Sequence, residues 1–452
     1  MDKLKCDICG GKLVMQSGGQ ACICDSCGVE YSVERMREKV QEIRGVVSVE
    51  GVVKTQNADF EIHAGVLTAY HGADTNVIIP DDVKEIAEGV FQNSKYLRSV
   101  VFPDSLAVIG PNAFSNCTDI VTLDFPPALA EIGDGSFEGC TNLEAIAFND
   151  SLKTLGKRAF AKCTDLVEIA FGENLKSIGE HTFDQCTKLK AVDLPDSLID
   201  LGGGIFSGCT GLAEIALPEG ISAINEETFF NCRQLSSVVL PNNIRRIGRS
   251  AFKNCTGLIS ANLSYCLVTI EAEAFENCSR LSAIAFPDKL MEIGDKAFSQ
   301  CKGLTEISLP NSLYKIGKAA FQCCNGLTHV ELSEGVSSIG ESAFAQCGQL
   351  VEIEIPQAVE TIGTGAFGGC SNLKTVVFHR QINFYHNVRR NTEGKLLLGG
   401  YGIKNVFYKT PYYDDAIKGK GRCPCCGGYI GGLFTRKCSS CGMDNSYGVL
   451  NY

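Results

Sequence analysis

Leu304-Thr-Glu-Ile-Ser-Leu-Pro-Asn-Ser-Leu-Tyr-Lys-Ile-Gly-Lys-Ala-Ala-Phe-Gln-Cys-Cys324 is one copy of a unit that recurs along this chain without insertion. Its Phe321 belongs to a row that begins at Phe91, Phe114 and Phe137 and ends at Phe367, 13 phenylalanines spaced 23 residues apart. A cysteine follows three residues after each of them from Cys117 to Cys370, and Ser94 takes that place in the first unit. A third row runs from Leu97 through Ile120 and Leu143 to Leu373. One 23-residue turn cannot bury its own apolar side chains, so copies must stack and the rows become a continuous core. The spacing therefore predicts an α/β-type repeat solenoid, with a parallel strand sheet joined by short turns, 3-10 or helical segments.

Within each unit, Leu-x-x-Ile-x-Leu alternates as a short strand does, placing Ile307 and Leu309 inward and neighbouring turns in parallel register. The Ile-Gly pairs, such as Ile109-Gly110 and Ile339-Gly340, read as corners where glycine accepts positive φ. Asn225 and Glu271 occupy that glycine position, so distortion is expected at both. The cysteine row reads as a column of small buried side chains. Parallel Cβ vectors in stacked turns do not suit disulfide torsions.

The pattern resembles the BspA-like leucine-rich-repeat family over about Asp59 to Phe378. Phe60-Glu-Ile-His-Ala-Gly-Val-Leu-Thr-Ala-Tyr-His-Gly72, followed by Val77-Ile-Ile-Pro80, looks like that family's usual opening. The resemblance implies a curved solenoid that binds proteins or surfaces. Many members are exported adhesins, and an adhesin role here would require export.

Cysteine also marks both termini. Cys6 and Cys9 form one C-x-x-C-G knuckle and Cys24 and Cys27 a second, 14 residues on; Cys423 and Cys426 pair with Cys438 and Cys441 across 11 residues. Two thiolates two residues apart reach one ion from one turn, and a second such turn completes the tetrahedral sulfur shell favoured by Zn²⁺. Four protein sulfurs leave no open coordination position, so two structural zinc ions are expected, with Cys22 and Cys425 as spare thiols. The implied organisation is a zinc ribbon over 1–31, a helix and linker over 32–58, the solenoid over 59–378, a cap and basic linker over 379–422 and a second ribbon over 423–452. Ser32 is the expected N-cap of a helix that carries Val33, Met36, Val40 and Ile43 on one face. The ribbons are similar to those of transcription and ribosomal proteins. The N-terminal unit resembles that of uncharacterised cytosolic proteins from Gram-positive anaerobes.

The 452 residues carry a net charge of −11. The tail from His379 holds 11 Lys/Arg against four acidic residues, which makes it +7 and the remainder −18. No run of about 18 uncharged apolar residues exists, so no membrane span is expected. The N-terminus passes directly into the first knuckle without the apolar core of a secretory signal, and a cytoplasmic location is the expectation. Phe384-Tyr-His-Asn-Val-Arg-Arg390, Asn405-Val-Phe-Tyr-Lys-Thr-Pro-Tyr-Tyr413 and Lys418-Gly-Lys-Gly-Arg422 mix aromatic rings with positive charge. That mixture suits either a cap on the last turn or nucleic acid, where bases stack on rings and cations meet phosphates.

His63, His71, His181, His329, His379 and His386 sit in no nucleophile, metal or phosphate motif, and Gly202-Gly-Gly204 fills a repeat corner and not a phosphate loop. An enzyme is not indicated. The rows facing outward from the strands run from Ser99 to Thr375 and from Val101 to Val377. Glu306, Glu331, Glu352 and Glu354 form an acidic patch in them that would favour a basic partner. The leading expectation is a non-enzymatic protein-protein interaction scaffold. A nucleic-acid-associated factor acting through the basic tail and ribbons is the alternative.

Overall fold

The computed structural model describes residues 59–379, the side chain of Phe378 excepted, and beyond them only the backbone of five short strands. Three of these, Leu13–Met15, Ala21–Cys24 and Glu30–Ser32, form an antiparallel sheet, and Val388–Arg390 pairs antiparallel with Leu396–Leu398. The helix expected from Ser32 lies outside the described residues. The chain divides into two compact units, Met1–Ile221 and Ser222–Tyr452.

The array opens with a hairpin, Phe60–His63 against Val66–Tyr70. Ala64 and Gly65 both take positive φ (54° and 82°), as a two-residue hairpin turn whose twist matches its strands requires. Tyr70 then stands at the head of the aromatic row, its ring centroid 5.0 Å from that of Phe60 and 5.1 Å from that of Phe91. Burial there pushes the phenol up to about 12.

Each unit is held by a ladder of two-residue strands at positions where the sequence predicts only corners. In the first unit Glu85–Ile86, Val108–Ile109, Glu131–Ile132, Thr154–Leu155, Ser177–Ile178 and Asp200–Leu201 continue the hairpin in parallel register; in the second, seven strands run from Ala223–Ile224 to Thr361–Ile362. The strands that the sequence predicts are present except at Thr122, which makes only an isolated bridge to Ala145; Ile307 and Leu309 are buried, but the strands pair only in twos and threes. Glu306–Ser308 pairs with His329–Glu331, for example, and Ser237–Val239 with Ser260–Asn262 and Ala283–Ile284. The two-residue ladder, unbroken within each unit, carries the continuous backbone pairing.

No helix occurs among the described residues, which corrects the α/β expectation, and none there is long and apolar enough to cross a membrane. The reason is local. In all 13 turns the residues two before and two after the stacking Phe have positive φ, such as Lys296 (56°) and Gln300 (64°) around Phe298. A right-handed helix cannot pass through such residues. The amides alternate instead. Those of Lys296, Phe298 and Gln300 donate to the carbonyls of Lys318, Ala320 and Gln322 in the next turn, while those of Ala297, Ser299 and Cys301 donate within their own turn to Gly294, Lys296 and Phe298. Every backbone donor of this segment is thereby used.

The core follows the rows. Consecutive rings from Phe91 to Phe206 have centroids 4.8–5.9 Å apart, and those from Phe229 to Phe367 lie 5.0–5.4 Å apart. In the first unit a second row, Phe102, Phe125, Phe148 and Phe171, packs edge-on against the first. The cysteine column is buried as expected, but it also hydrogen-bonds. Cys117 Sγ donates to the carbonyl of Phe91 in the preceding turn at 3.0 Å, and Cys278 Sγ to that of Phe252 at 3.1 Å. Burial pushes the Cys117 and Cys370 thiols up to about 12, so the protonated donor form is retained.

Candidate functional site

The predicted acidic residues sit on strands whose central residues are anchored in the core. Glu306 and Ser308 flank buried Ile307, His329 and Glu331 flank buried Val330, and Glu352 and Glu354 flank buried Ile353; all six flanking residues are exposed. Parallel pairing sets Glu306 beside His329 and Ser308 beside Glu331. The Ser308 hydroxyl donates to Glu331 Oε2 at 2.6 Å, and His379 Nε2 lies 3.1 Å from Glu354 Oε2. The four carboxylates thus share an open face, with His329 among them.

The corresponding face of the first unit differs. Glu168 and Asp193 are half-buried among Ala145, Ala170, Ala191 and Ala216. Desolvation raises both, Asp193 to about 6 with a smaller contribution from Asp196. An acid whose folded pKa exceeds its unfolded value of 3.8 binds its proton more tightly in the fold. Its contribution to stability is complete below pH 3.8 and is lost as pH rises toward about 6. Asp193→Asn is accordingly expected to unfold at higher urea concentration than the parent at pH 7.5 and at the same concentration at pH 4. An equal difference at both pH values would show that the carboxylate charge is not the cause.

The corner glycines carry no positive φ, contrary to expectation; those with positive φ, such as Gly204 and Gly208, flank the Phe row. What the corner needs is space. A Cβ on Gly179 would meet the Lys157 amide nitrogen at 2.5 Å and the Gly156 carbonyl carbon at 2.7 Å. Glu271 nevertheless keeps the corner bond, its amide donating to Ile247 O at 2.9 Å against 2.7 Å for Gly248 to Ile224. The expected distortion does not break this corner. Asn225 and Glu271 instead clamp the intervening Arg246, which donates to Asn225 Oδ1 at 2.8 Å and Glu271 Oε1 at 3.0 Å. Besides Ala87 in the first turn, these two are the exceptions in the glycine row, and they are two halves of one arginine site. Gly204 has a different reason to be glycine, since the His181 imidazole occupies the space of its Cβ.

The sequence points to an acidic partner-binding patch on the strand face, and the outer face of the two-residue ladder is not anticipated from it. Tyr265 (61% exposed), Met291 (45%) and Tyr314 (39%) project from three consecutive turns of the second unit. For Tyr265 the signal was a departure from polar residues at a fixed place in the repeat, whereas the place of Met291 and Tyr314 also holds Ala107, Ala130, Ile199 and Val268 and carries no such signal. Tyr265 stands where other units carry residues such as Asp288, Asn311 and Glu334.

Cys6, Cys9, Cys27, Cys423, Cys426, Cys438 and Cys441 lie outside the described residues, as do the side chain of Cys24 and the aromatic, basic tail apart from the backbone of Val388–Arg390 and Leu396–Leu398. Cys24 itself closes the strand Ala21–Cys24. Among the described residues no three His, Cys, Asp or Glu side chains converge as metal ligands.

The chain matches the family described as BspA type Leucine rich repeat region, in six copies, over residues 69–190, 176–305 and 268–388. No curated protein matches it. Among solved structures it is similar to a leucine-rich repeat protein from Bacteroides ovatus, with 28% identity, 73% of this chain and 88% of that chain covered, and a TM-score of 0.61. The pneumococcal vaccine antigen PcpA is 20% identical over 73% of this chain and 94% of its own, with a TM-score of 0.52, and shares the fold. A leucine rich cell surface protein from Faecalibacterium prausnitzii is 25% identical over 73% and 89%, with a TM-score of 0.44.

Proposed function

The chain belongs to the BspA-type leucine-rich-repeat family, and on that premise we propose that it is a non-enzymatic scaffold that binds a protein partner through its repeat array. The observation that supports this most is the open acidic face, where Glu306, Glu331, Glu352 and Glu354 project from strands whose alternate residues are fixed in the core. Rigid backbone with solvated carboxylates gives charge complementarity at low ordering cost. The partner segment is basic. Capture of native partners by the full chain and by a variant with all four glutamates changed to lysine tests this, with nuclease present throughout. Loss of the basic partners in the variant is the expected result; retention at equal yield would sink the reading.

The terminal cysteines serve as two structural zinc sites, Cys6, Cys9, Cys24 and Cys27 at one end and Cys423, Cys426, Cys438 and Cys441 at the other. Metal analysis of the purified full chain should return two zinc ions, released on chelation with eight newly reactive thiols. Disulfides among these cysteines in metal-free protein would argue against it. A cytoplasmic location suits both the thiolate ligands and the array's 14 free thiols.

A further inference from the structure

Sixteen residues after each stacking Phe lies the residue just before a two-residue strand. In the second unit this column reads Ser222, Arg245, Val268, Met291, Tyr314, Ser337 and Glu360. Backbone bonds align its middle, the amides of Val268, Met291 and Tyr314 donating to the carbonyls of Arg245, Val268 and Met291 at 2.8, 2.8 and 3.0 Å. Three apolar side chains therefore stand in single file, about 10 Å end to end at strand spacing. Tyr265, on the same turn as Val268, widens the strip on one side.

Charge frames the strip asymmetrically. Arg245 is exposed at its head and has no side-chain partner among the described residues, whereas the adjacent Arg246 is held by Asn225 and Glu271. Exposed Lys289 lies 6.0 Å from the Tyr265 ring centroid and 3.9 Å from Cys266 Sγ. Glu292, at the other border, is occupied by Lys315 and by the Tyr314 hydroxyl. The uncommitted charges around the strip are thus Arg245 and Lys289 against the single exposed carboxylate of Asp288, a positive balance, and its residue types, Tyr, Met and Arg, are those that carry binding energy at protein interfaces.

From this placement we infer that Arg245, Tyr265, Val268, Met291 and Tyr314 form a docking strip for a short extended acidic segment of another protein. Aliphatic or aromatic side chains of that segment lie along the file, and a carboxylate meets Arg245. The strip is too short for a folded domain and gives weak, exchangeable binding. The inference rests on the scaffold reading and adds to it a second surface with the opposite charge preference.

The test is fluorescence polarisation of the full chain with two labelled peptide pools, one alternating Leu, Ile or Phe with Glu and the other carrying Lys in place of Glu. The acidic pool should bind, and its binding should weaken with salt. The paired change Met291→Asp and Tyr314→Asp should lower its affinity about tenfold or more at unchanged thermal stability. Arg245→Glu should lower it similarly and shift preference toward the lysine pool. Acidic-pool affinity that stays within twofold in these variants overturns the inference, as does no binding of that pool. If the lysine pool is still held, and is released by reversing Glu306, Glu331, Glu352 and Glu354, only the strip fails. Capture of neither pool counts against the scaffold as well.

Discussion

Phe275→Ala is expected to lower the stability of the array by about 3–5 kcal/mol, the range for truncating a fully buried phenylalanine. The Phe275 ring is inaccessible and lies parallel to two others, 5.0 Å from Phe252 with an interplanar angle of 7° and 5.1 Å from Phe298 with an angle of 6°. Truncation removes two ring contacts and opens a cavity that backbone ladders on every side prevent from collapsing. Because a solenoid turn interacts only with its neighbours, the loss also weakens the coupling between the turns before and after it. The urea transition should therefore become broader as well as earlier. The carbonyl of Phe275 still accepts from Cys301 Sγ at 3.1 Å, so the cysteine column remains and the effect isolates the aromatic row. The chain has no tryptophan, and far-UV circular dichroism is the appropriate signal. A shift below about 1 kcal/mol would mean that the row is not the main source of cohesion.

Periodicity made the rows legible because burial acts on side-chain type. Phe, Cys, Leu and Ile recur where the chain must exclude water, and the structure finds them inaccessible. Outward alternation on the strands was legible for the same reason, and Glu306, Glu331, Glu352 and Glu354 are exposed as the pattern required. Backbone conformation was less visible. Of the 26 positive-φ positions around the stacking Phe rings, 19 carry residues other than glycine, among them Arg158, Glu227 and Lys296. Six of the 19 are asparagine, which accepts this conformation readily; the charged side chains give no turn signature, because the inter-turn amide bonds hold their backbone in a state that propensity alone would not choose. Short turns, 3-10 and helical segments were consequently equal alternatives in the sequence where successive turns occur.

The corner glycine misled in the opposite direction, being conspicuous but assigned the wrong cause. Its φ is ordinary, and the constraint is the neighbouring turn, which no single-unit reading contains. The same holds for Arg246: in sequence, Asn225 and Glu271 are two unrelated departures, and only stacking places both against one guanidinium. Sites formed between copies of a repeat are hidden from a reading of one copy. The docking strip is hidden similarly, because Val268, Met291 and Tyr314 each look incidental until register aligns them.

Gly179→Val should separate these two explanations of the corner. If the glycine served a left-handed backbone, alanine would cost only about 1–2 kcal/mol, through φ. If space is the constraint, the cost should rise with side-chain size. The first added carbon already meets Lys157 N at 2.5 Å and Lys157 Cα at 2.9 Å, which are backbone atoms held in the preceding turn. Overpacking against side chains costs roughly 1–3 kcal/mol, and contact with a fixed backbone belongs at or above the top of that range. We expect about 3 kcal/mol for Gly179→Ala and more than that for Gly179→Val, read from urea midpoints. Glu271→Gly supplies the converse. It relieves the corner but releases Arg246 and the Arg249 amide, which bonds Glu271 Oε2 at 3.0 Å, and it adds freedom to the unfolded chain. An ion pair this exposed contributes at most about 1 kcal/mol, so the opposing effects should nearly cancel. A large loss in Glu271→Gly beside a small one in Gly179→Val would reverse the assignment, making the arginine clamp and not the glycine spacing the element that holds the corner.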